Sequence, residues 1–287
     1  MMHYLLLFTS VFLDTFKNIY YNYFGKNMIK TQRDTMLFNM VCCVGSVIYF
    51  LCRRARFQVS GFSFVMAAIF SVVTVGAQYF QLLSMRLGPM SYSVLFTYLS
   101  MLIPTLFGIF YYGNTPSILQ IIGLVLMVVT FFLSCEFKGN TKVSLKWFVV
   151  AMCSFLSWGL IGICQQIHQT SEYAGELSGF LMWTFVFSGV LFAALFFMSP
   201  DAEGKTQKLR LMPALLMTLT GVAIGAINEI NLFLSVAMDP VVFFPVVNGG
   251  VIILSGLAAI MVFKEKLSVK QSIGLLSGIA SVIFLGF

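Results

Sequence analysis

Glu265–Leu275 (EKLSVKQSIGL) restates, far down the chain, the stretch Asn114–Leu124 (NTPSILQIIGL). Ser268, Gln271, Ile273, Gly274 and Leu275 fall on Ser117, Gln120, Ile122, Gly123 and Leu124, each 151 residues apart. Carried back without a gap, the same offset sets Asp239-Pro240 on Gly88-Pro89 and Leu234-Ser235 on Leu83-Ser84. Each proline opens an apolar run directly after a loop, as suits the first turn of a helix, where an N–H has no partner in any case. Matches that cluster at one offset mark an internal duplication.

What is duplicated is apolar. The chain has 287 residues, of which 59% are hydrophobic and only 9% charged. A soluble domain of this size cannot hide that much apolar surface. A bilayer can, and a spanning helix needs about 20 mostly apolar residues. Ten such segments are predicted, at 4–23, 35–52, 62–86, 89–112, 117–135, 145–170, 177–198, 211–237, 240–263 and 269–287. The start Tyr4–Leu13 lacks a basic leader and a small-residue cleavage site, and Asp14 follows it, so it reads as the first span rather than a signal peptide. The expected fold class is an all-α polytopic membrane protein. Its organisation is two five-helix repeats, residues 1–140 and 141–287, divided in the polar loop around Glu136–Lys146. Five is odd, so the second copy must enter the membrane from the opposite face. The repeats are then inverted, with a site expected near the midplane between them.

Charge sets the expected orientation. The formal net charge is +7, which in a soluble protein would raise nucleic acid as a partner. Here the basic residues sit in short loops, so no nucleic acid is expected. Lys26, Lys30, Arg33, Arg86, Lys138, Lys142, Lys146, Lys205, Lys208, Arg210, Lys264, Lys266 and Lys270 follow odd-numbered spans; only Arg53, Arg54 and Arg56 follow even ones. Cytoplasmic loops carry the excess of Lys and Arg, which puts the odd loops inside and both termini outside. The six cysteines (Cys42, Cys43, Cys52, Cys135, Cys153 and Cys164) lie in or beside apolar spans, without CxxC or Cys/His spacing, and read as packing residues. No metal or cofactor site is expected.

Ten spans, a five-plus-five duplication and FKEKLSVKQSIGLLSG (Phe263–Gly278) resemble the EamA-like branch of the drug/metabolite transporter superfamily. There each half closes with a Glu, then Leu-Ser, a Gln and a Gly, a pattern that Glu265, Leu267, Ser268, Gln271 and Gly274 match. The first half departs from it, with Asn114 in place of the Glu and Pro116 in place of the Leu. The resemblance implies a carrier fold and leaves the substrate open among amino acids, sugars, nucleotide derivatives and drugs.

Polar residues inside the spans locate the candidate site, because a charge at the middle of a spanning helix costs about 2.5–3.5 kcal/mol and is functional by default. In span eight Gly221, Gly225 and Glu229 recur every four residues and share a face. Glycines mark close helix approach, so Glu229 is expected to face protein or a cavity. It is the candidate for contacting a substrate amine or exchanging a proton; the alternative is packing against amide neighbours. Asn228, Asn231 and Ser235 lie beside it, and the repeat sets it on Gln78, within the stripe Thr74, Gln78 and Gln81 of span three. Span one carries Asp14, Lys17, Asn18 and Tyr21 on one face. Asp14 and Lys17 are spaced to pair, either with Lys17 binding an anionic group that Asp14 tunes, or as a self-neutralising pair near the cytoplasmic end with Lys17 snorkelling to the headgroups. Span six, set against span one by the same offset, carries Ser154, Trp158, Gln165 and His168. Trp158 is expected to stack on substrate or pack, and His168 to sit at the interface. Spans four (Ser93, Thr97, Ser100, Pro104, Gly108) and nine (Pro245, Asn248, Gly249, Gly250, Ser255, Gly256) hold the residues that bend helices, and PVVNGG (Pro245–Gly250) is the expected hinge. Gly274 and Gly278 read as packing.

The expected function is secondary transport of a small polar or amphipathic metabolite, amino acid-like or drug-like, by alternating access. No GxxxxGK[ST] occurs, so coupling would come from protons, another ion or exchange. The expected partners are a small-molecule substrate, the lipid bilayer and protons, in a bacterial plasma membrane. An enzyme is not expected, for lack of HExxH, an Asp-rich motif or Gly-x-Ser-x-Gly. A channel or receptor-like protein is the alternative.

Overall fold

The computed structural model describes residues 2–54, 57–112, 117–134, 144–199, 211–237 and 245–285, and the regular structure among them is helical throughout. In chain order the helices are α1 (Met2–Asn27), α2 (Gln32–Cys52), α3 (Gly61–Leu87), α4 (Met90–Leu99), α5 (Leu102–Tyr112), α6 (Ile118–Ser134), α7 (Leu145–Gln169), α8 (Leu177–Met198), α9 (Leu211–Ala237), α10 (Gly250–Met261) and α11 (Val269–Leu285). Among the described residues six stretches are long and apolar enough to cross a membrane; they lie on α2, α3, α4 with α5, α7, α8 and α9. Large apolar side chains such as Val65, Val72, Leu219 and Ile273 point outward. The protein is a helical, multi-pass membrane protein, in which each helix bonds its own backbone and turns an apolar coat to lipid.

Span one differs from expectation. α1 is not among the six apolar stretches, because its inner face is polar. Asp14, Thr15, Lys17, Asn18 and Asn22 are buried, while Leu5, Phe8 and Phe12 are exposed. Of the loop around Glu136–Lys146, expected to divide the repeats, residues 136–143 lie outside the described residues, as do Asn114 and Pro116, and Leu145 and Lys146 already belong to α7.

Local chemistry fixes the helix starts. Thr31 caps α2: its Oγ accepts from the Asp34 N–H at 3.1 Å, and the Asp34 carboxylate accepts from the Thr31 N–H at 2.9 Å. Ser60 and Ser144 cap α3 and α7 by accepting from the N–H groups of Ser63 and Trp147. Proline at position 89 has no side-chain acceptor to offer α4, and that cap comes from elsewhere, as described below.

Contact register gives the helix directions. α2 and α9 run parallel, with Cys42 and Gly45 against Gly221 and Thr218, and Tyr49 against Gly225. The approach is close enough that a Cβ on Gly221 would lie 2.0 Å from the Cys42 carbonyl oxygen. The freed space lets the Ser46 hydroxyl donate to the Gly221 carbonyl at 2.8 Å. α3 and α7 run antiparallel, with Ser63 at His168 and Gly88 on Trp147. Trp147 is fully buried, packs edge-on against Tyr92 and Phe96, and donates its indole N–H to Ser93 at 3.2 Å. It thereby ties α4 to α7.

α6 and α11 also run antiparallel. Ser281 donates to the Gly123 carbonyl at 2.7 Å, Ser277 to the Leu126 carbonyl at 3.1 Å, and Gly274 lies against Leu133. Both helices have 17 residues, and their starts, 118 and 269, differ by 151. Ser277 and Leu126 are 151 apart as well. At the crossing, then, a position meets the one that the offset sets opposite it. Elsewhere the offset is not constant: the starts of α3 and α9 differ by 150, those of α2 and α8 by 145, and those of α1 and α7 by 143. Changes in loop length cost little, so they shift the register between elements without altering the elements.

Spans four and nine are both irregular. α4 and α5 are separated at Ser100–Met101, and Pro245–Gly249 forms a π-helical turn leading into α10, where the hinge was expected. The two irregular points meet: the Asn248 amide lies 3.6 Å from the Met101 sulfur.

Candidate functional site

The polar face of α1 is the centre of the site. Lys17 Nζ lies 2.5 Å from Asp14 Oδ1, one turn away, and both residues are only 6% and 5% exposed. The self-neutralising pair is present as the alternative expected, but Lys17 is buried in the bundle rather than snorkelling. Next to the pair, the fully buried Asn18 donates to Ser255 of α10 at 3.3 Å and accepts from Gln81 of α3 at 3.2 Å. The Lys17 ammonium lies 5.4 Å from the centre of the Trp158 ring of α7, within cation–π range. Tyr98 of α4, half-buried but with its hydroxyl buried, faces Asp14 and Asn18. Four helices thus converge on one turn of α1.

Several buried polar atoms here and one turn further along α1 have no hydrogen-bond partner. They are Gln81 Oε1, the Tyr98 hydroxyl, the Trp158 indole N–H and both amide atoms of Asn22. Buried polar groups are otherwise paired in about nine cases in ten. The cluster has hydrogen-bonding capacity that the folded chain does not use.

Of the residues singled out from sequence, the structure brings together Asp14, Lys17, Asn18, Gln81, Trp158 and Ser255. The others lie apart in their bonding. Glu229 points to α2: it accepts from Arg53 Nε at 3.2 Å and Nη2 at 3.4 Å, and from the Tyr49 hydroxyl. Its side chain is 27% exposed and that of Arg53 is 61% exposed. The face shared with Gly221 and Gly225 is as expected, but the carboxylate is an ion-paired group near the end of α2 rather than an isolated one in apolar surroundings. Asn228 and Thr97 donate to the carbonyls of Ile224 and Ser93 one turn back, at 2.8 and 3.0 Å. Gln78 is buried, with Cys43 Sγ at 3.9 Å from its Oε1. Gln165 is half-buried, and Asn248 joins the two irregular turns. His168, in the last turn of α7, is buried within the bundle: it is 1% exposed, lies 3.1 Å from the Ser63 hydroxyl and stacks on Phe180. Ser235 and Gln271 have side chains outside the described residues.

Sequence reasoning missed three groups. Asn22 continues the spacing of Asp14 and Asn18 by one more turn and was legible. Tyr98 carries no signal within an apolar run. Glu265 was noted as part of a motif, but its role was not. Its carboxylate accepts from the backbone N–H of Met90 at 2.6 Å, the N–H of Ser91 at 3.3 Å and the Ser91 hydroxyl at 3.0 Å, with Lys26 Nζ at 3.4 Å. It is the cap that Pro89 cannot supply, placed where a helix end favours negative charge. One end of the bundle is thus joined through Lys26, Glu265 and the start of α4. At the other end, Glu176 accepts from the N–H and hydroxyl of Ser60, both at 2.8 Å.

No protein-family model matches the chain, and no curated protein does. A protein solved by crystallography superposes with a TM-score of 0.61 at 12% sequence identity, over 99% of this chain and 96% of the other. That likeness extends over the full length and is one of fold.

Proposed function

We propose that this chain is a secondary transporter of the drug/metabolite type, EamA-like, built from two inverted five-helix repeats that divide near residue 140 and exchange a polar solute by alternating access. The antiparallel crossing of α6 and α11 carries this reading. The two helices have equal length at one offset, and their central hydrogen bond joins residues that same offset apart. Such contacts are what a two-fold axis in the membrane plane generates between equivalent helices. The meeting of the irregular turns of spans four and nine supports it too, since broken helices at the repeat interface line solute sites in carriers of this plan. The solute would bind at the α1 cluster, where unused polar atoms and a buried ion pair lie among five helices. Lys26–Glu265 and Glu176–Ser60 would close the two ends in turn.

Counterflow tests the proposal. Purified protein in liposomes preloaded with a metabolite pool should accumulate the labelled solute transiently, and excess unlabelled solute should saturate the signal. Non-saturable flux would mark a channel, and no flux with any pool would overturn transport.

A further inference from the structure

We infer that the ligand of the α1 cluster is a zwitterion of zero net charge, with a carboxylate and an ammonium held a few bonds apart, as in a neutral α-amino acid. The inference rests on the transport reading for its biological sense, but the ligand class follows from charge balance at the site.

Asp14 and Lys17 oppose each other at 2.5 Å, and each side chain is under one-tenth exposed. The site is therefore neutral as folded. A ligand with one net charge would leave an unbalanced charge among buried groups, where desolvation is not repaid. An uncharged polyol would have to leave the ion pair intact and use only its surroundings. A zwitterion alone can enter between the two and re-pair both: its carboxylate with the Lys17 ammonium, its ammonium with the Asp14 carboxylate. The total charge stays at zero throughout. The neighbours suit that exchange. Trp158 already presents its ring to a cation at 5.4 Å, and the hydroxyl of Tyr98 faces Asp14. The indole N–H of Trp158 and Gln81 Oε1 are buried without partners, one a donor for a carboxylate and the other an acceptor for an ammonium. Asp14 and Lys17 are one helical turn apart, so the backbone limits how far the two charges can separate, and the cluster reads charge separation as well as net charge.

The test compares three pools on the purified full-length protein: neutral α-amino acids, the corresponding carboxylic acids lacking the amine, and the amines lacking the carboxylate. The zwitterion pool should raise the unfolding temperature and quench tryptophan fluorescence saturably. Either single-charge pool should bind at least tenfold more weakly. The double variant Asp14→Asn/Lys17→Gln removes both charges without leaving one unpaired, so it should fold, and it should lose at least tenfold in affinity for the zwitterions. The exchanged pair Asp14→Lys/Lys17→Asp keeps the site neutral and should retain part of that affinity. Equal or tighter binding of either single-charge pool overturns the inference, as does undiminished zwitterion binding by the double variant. Failure of every zwitterion to bind wild type overturns it too. Selective zwitterion binding without counterflow would uphold the ligand class and reject transport. Saturable counterflow of single-charge solutes would do the reverse.

Discussion

Replacing Glu265 by Gln should loosen the start of α4, by an amount the geometry sets. The carboxylate holds two backbone N–H groups and one hydroxyl, at 2.6, 3.3 and 3.0 Å. Hydrogen bonds to a charged group contribute about 1.5–3 kcal/mol against about 1 for neutral ones, and an anion at a helix N-terminus adds about 0.3–1 kcal/mol. Gln keeps one acceptor oxygen and turns an amide donor toward the second N–H. The expected loss is about 1.5–3 kcal/mol, with little relief from solvent because the Glu265 side chain is 9% exposed. Amide hydrogen exchange at Met90 and Ser91 reads it directly and should accelerate by about 10- to 100-fold, at about 1.4 kcal/mol per decade. Lys26→Ala is the contrast. That ion pair spans 3.4 Å, and the Lys26 side chain is 35% exposed, so its loss should cost under about 1 kcal/mol, or less than about fivefold in exchange. Exchange unchanged within twofold in Glu265→Gln, or an equal effect from Lys26→Ala, would refute the assignment of the cap.

Gly221→Ala should lower the detergent unfolding temperature, with a cost of about 1–3 kcal/mol from forcing α2 and α9 apart, because its Cβ would meet backbone at 2.0 Å. Gly61→Ala, which meets nothing within 4 Å, should stay within about 0.5 kcal/mol of wild type. A double-mutant cycle of Glu229→Gln with Arg53→Ala should give a coupling below about 1 kcal/mol, given the 61% exposure of Arg53. Lys17→Ala should destabilise by about 3–5 kcal/mol, since it strands the buried Asp14; equal costs for the two pairs would contradict the contrast drawn between them. Impermeant thiol labelling of Lys30→Cys and Arg54→Cys, in a background without native cysteines, should find the two on opposite faces of the membrane. Labelling from one face only would break the orientation drawn from the loop charges.

The helices were legible because apolar runs of spanning length leave few alternatives, and most observed ends fall within a few residues of the predicted ones. The face of α1 was legible too, since Asp14, Lys17 and Asn18 follow helical spacing. What pairs with Glu229 was not. Arg53 stands 176 residues away, and nothing local in either segment announces the other. A carboxylate in an apolar run therefore reads as isolated until the fold supplies its counter-charge. Tyr98 was missed for a related reason: its apolar ring fits the run, and its hydroxyl gains meaning only from α1. Glu265 was recognised by motif but not by role, because its partners are the bare N–H donors of a helix end, and backbone groups leave no mark in a sequence.

The clasp on α4 also bears on how the protein is made. Met90 leaves the ribosome 175 residues ahead of the carboxylate that will hold its N–H, and α6 is synthesised well before α11 arrives to cover the carbonyls of Gly123 and Leu126. The first half thus enters the bilayer with a raw helix end and an uncovered flank, and its final form is set only as the last two helices insert. Substitutions near residue 265 should consequently impair the assembly of a segment translated long before them.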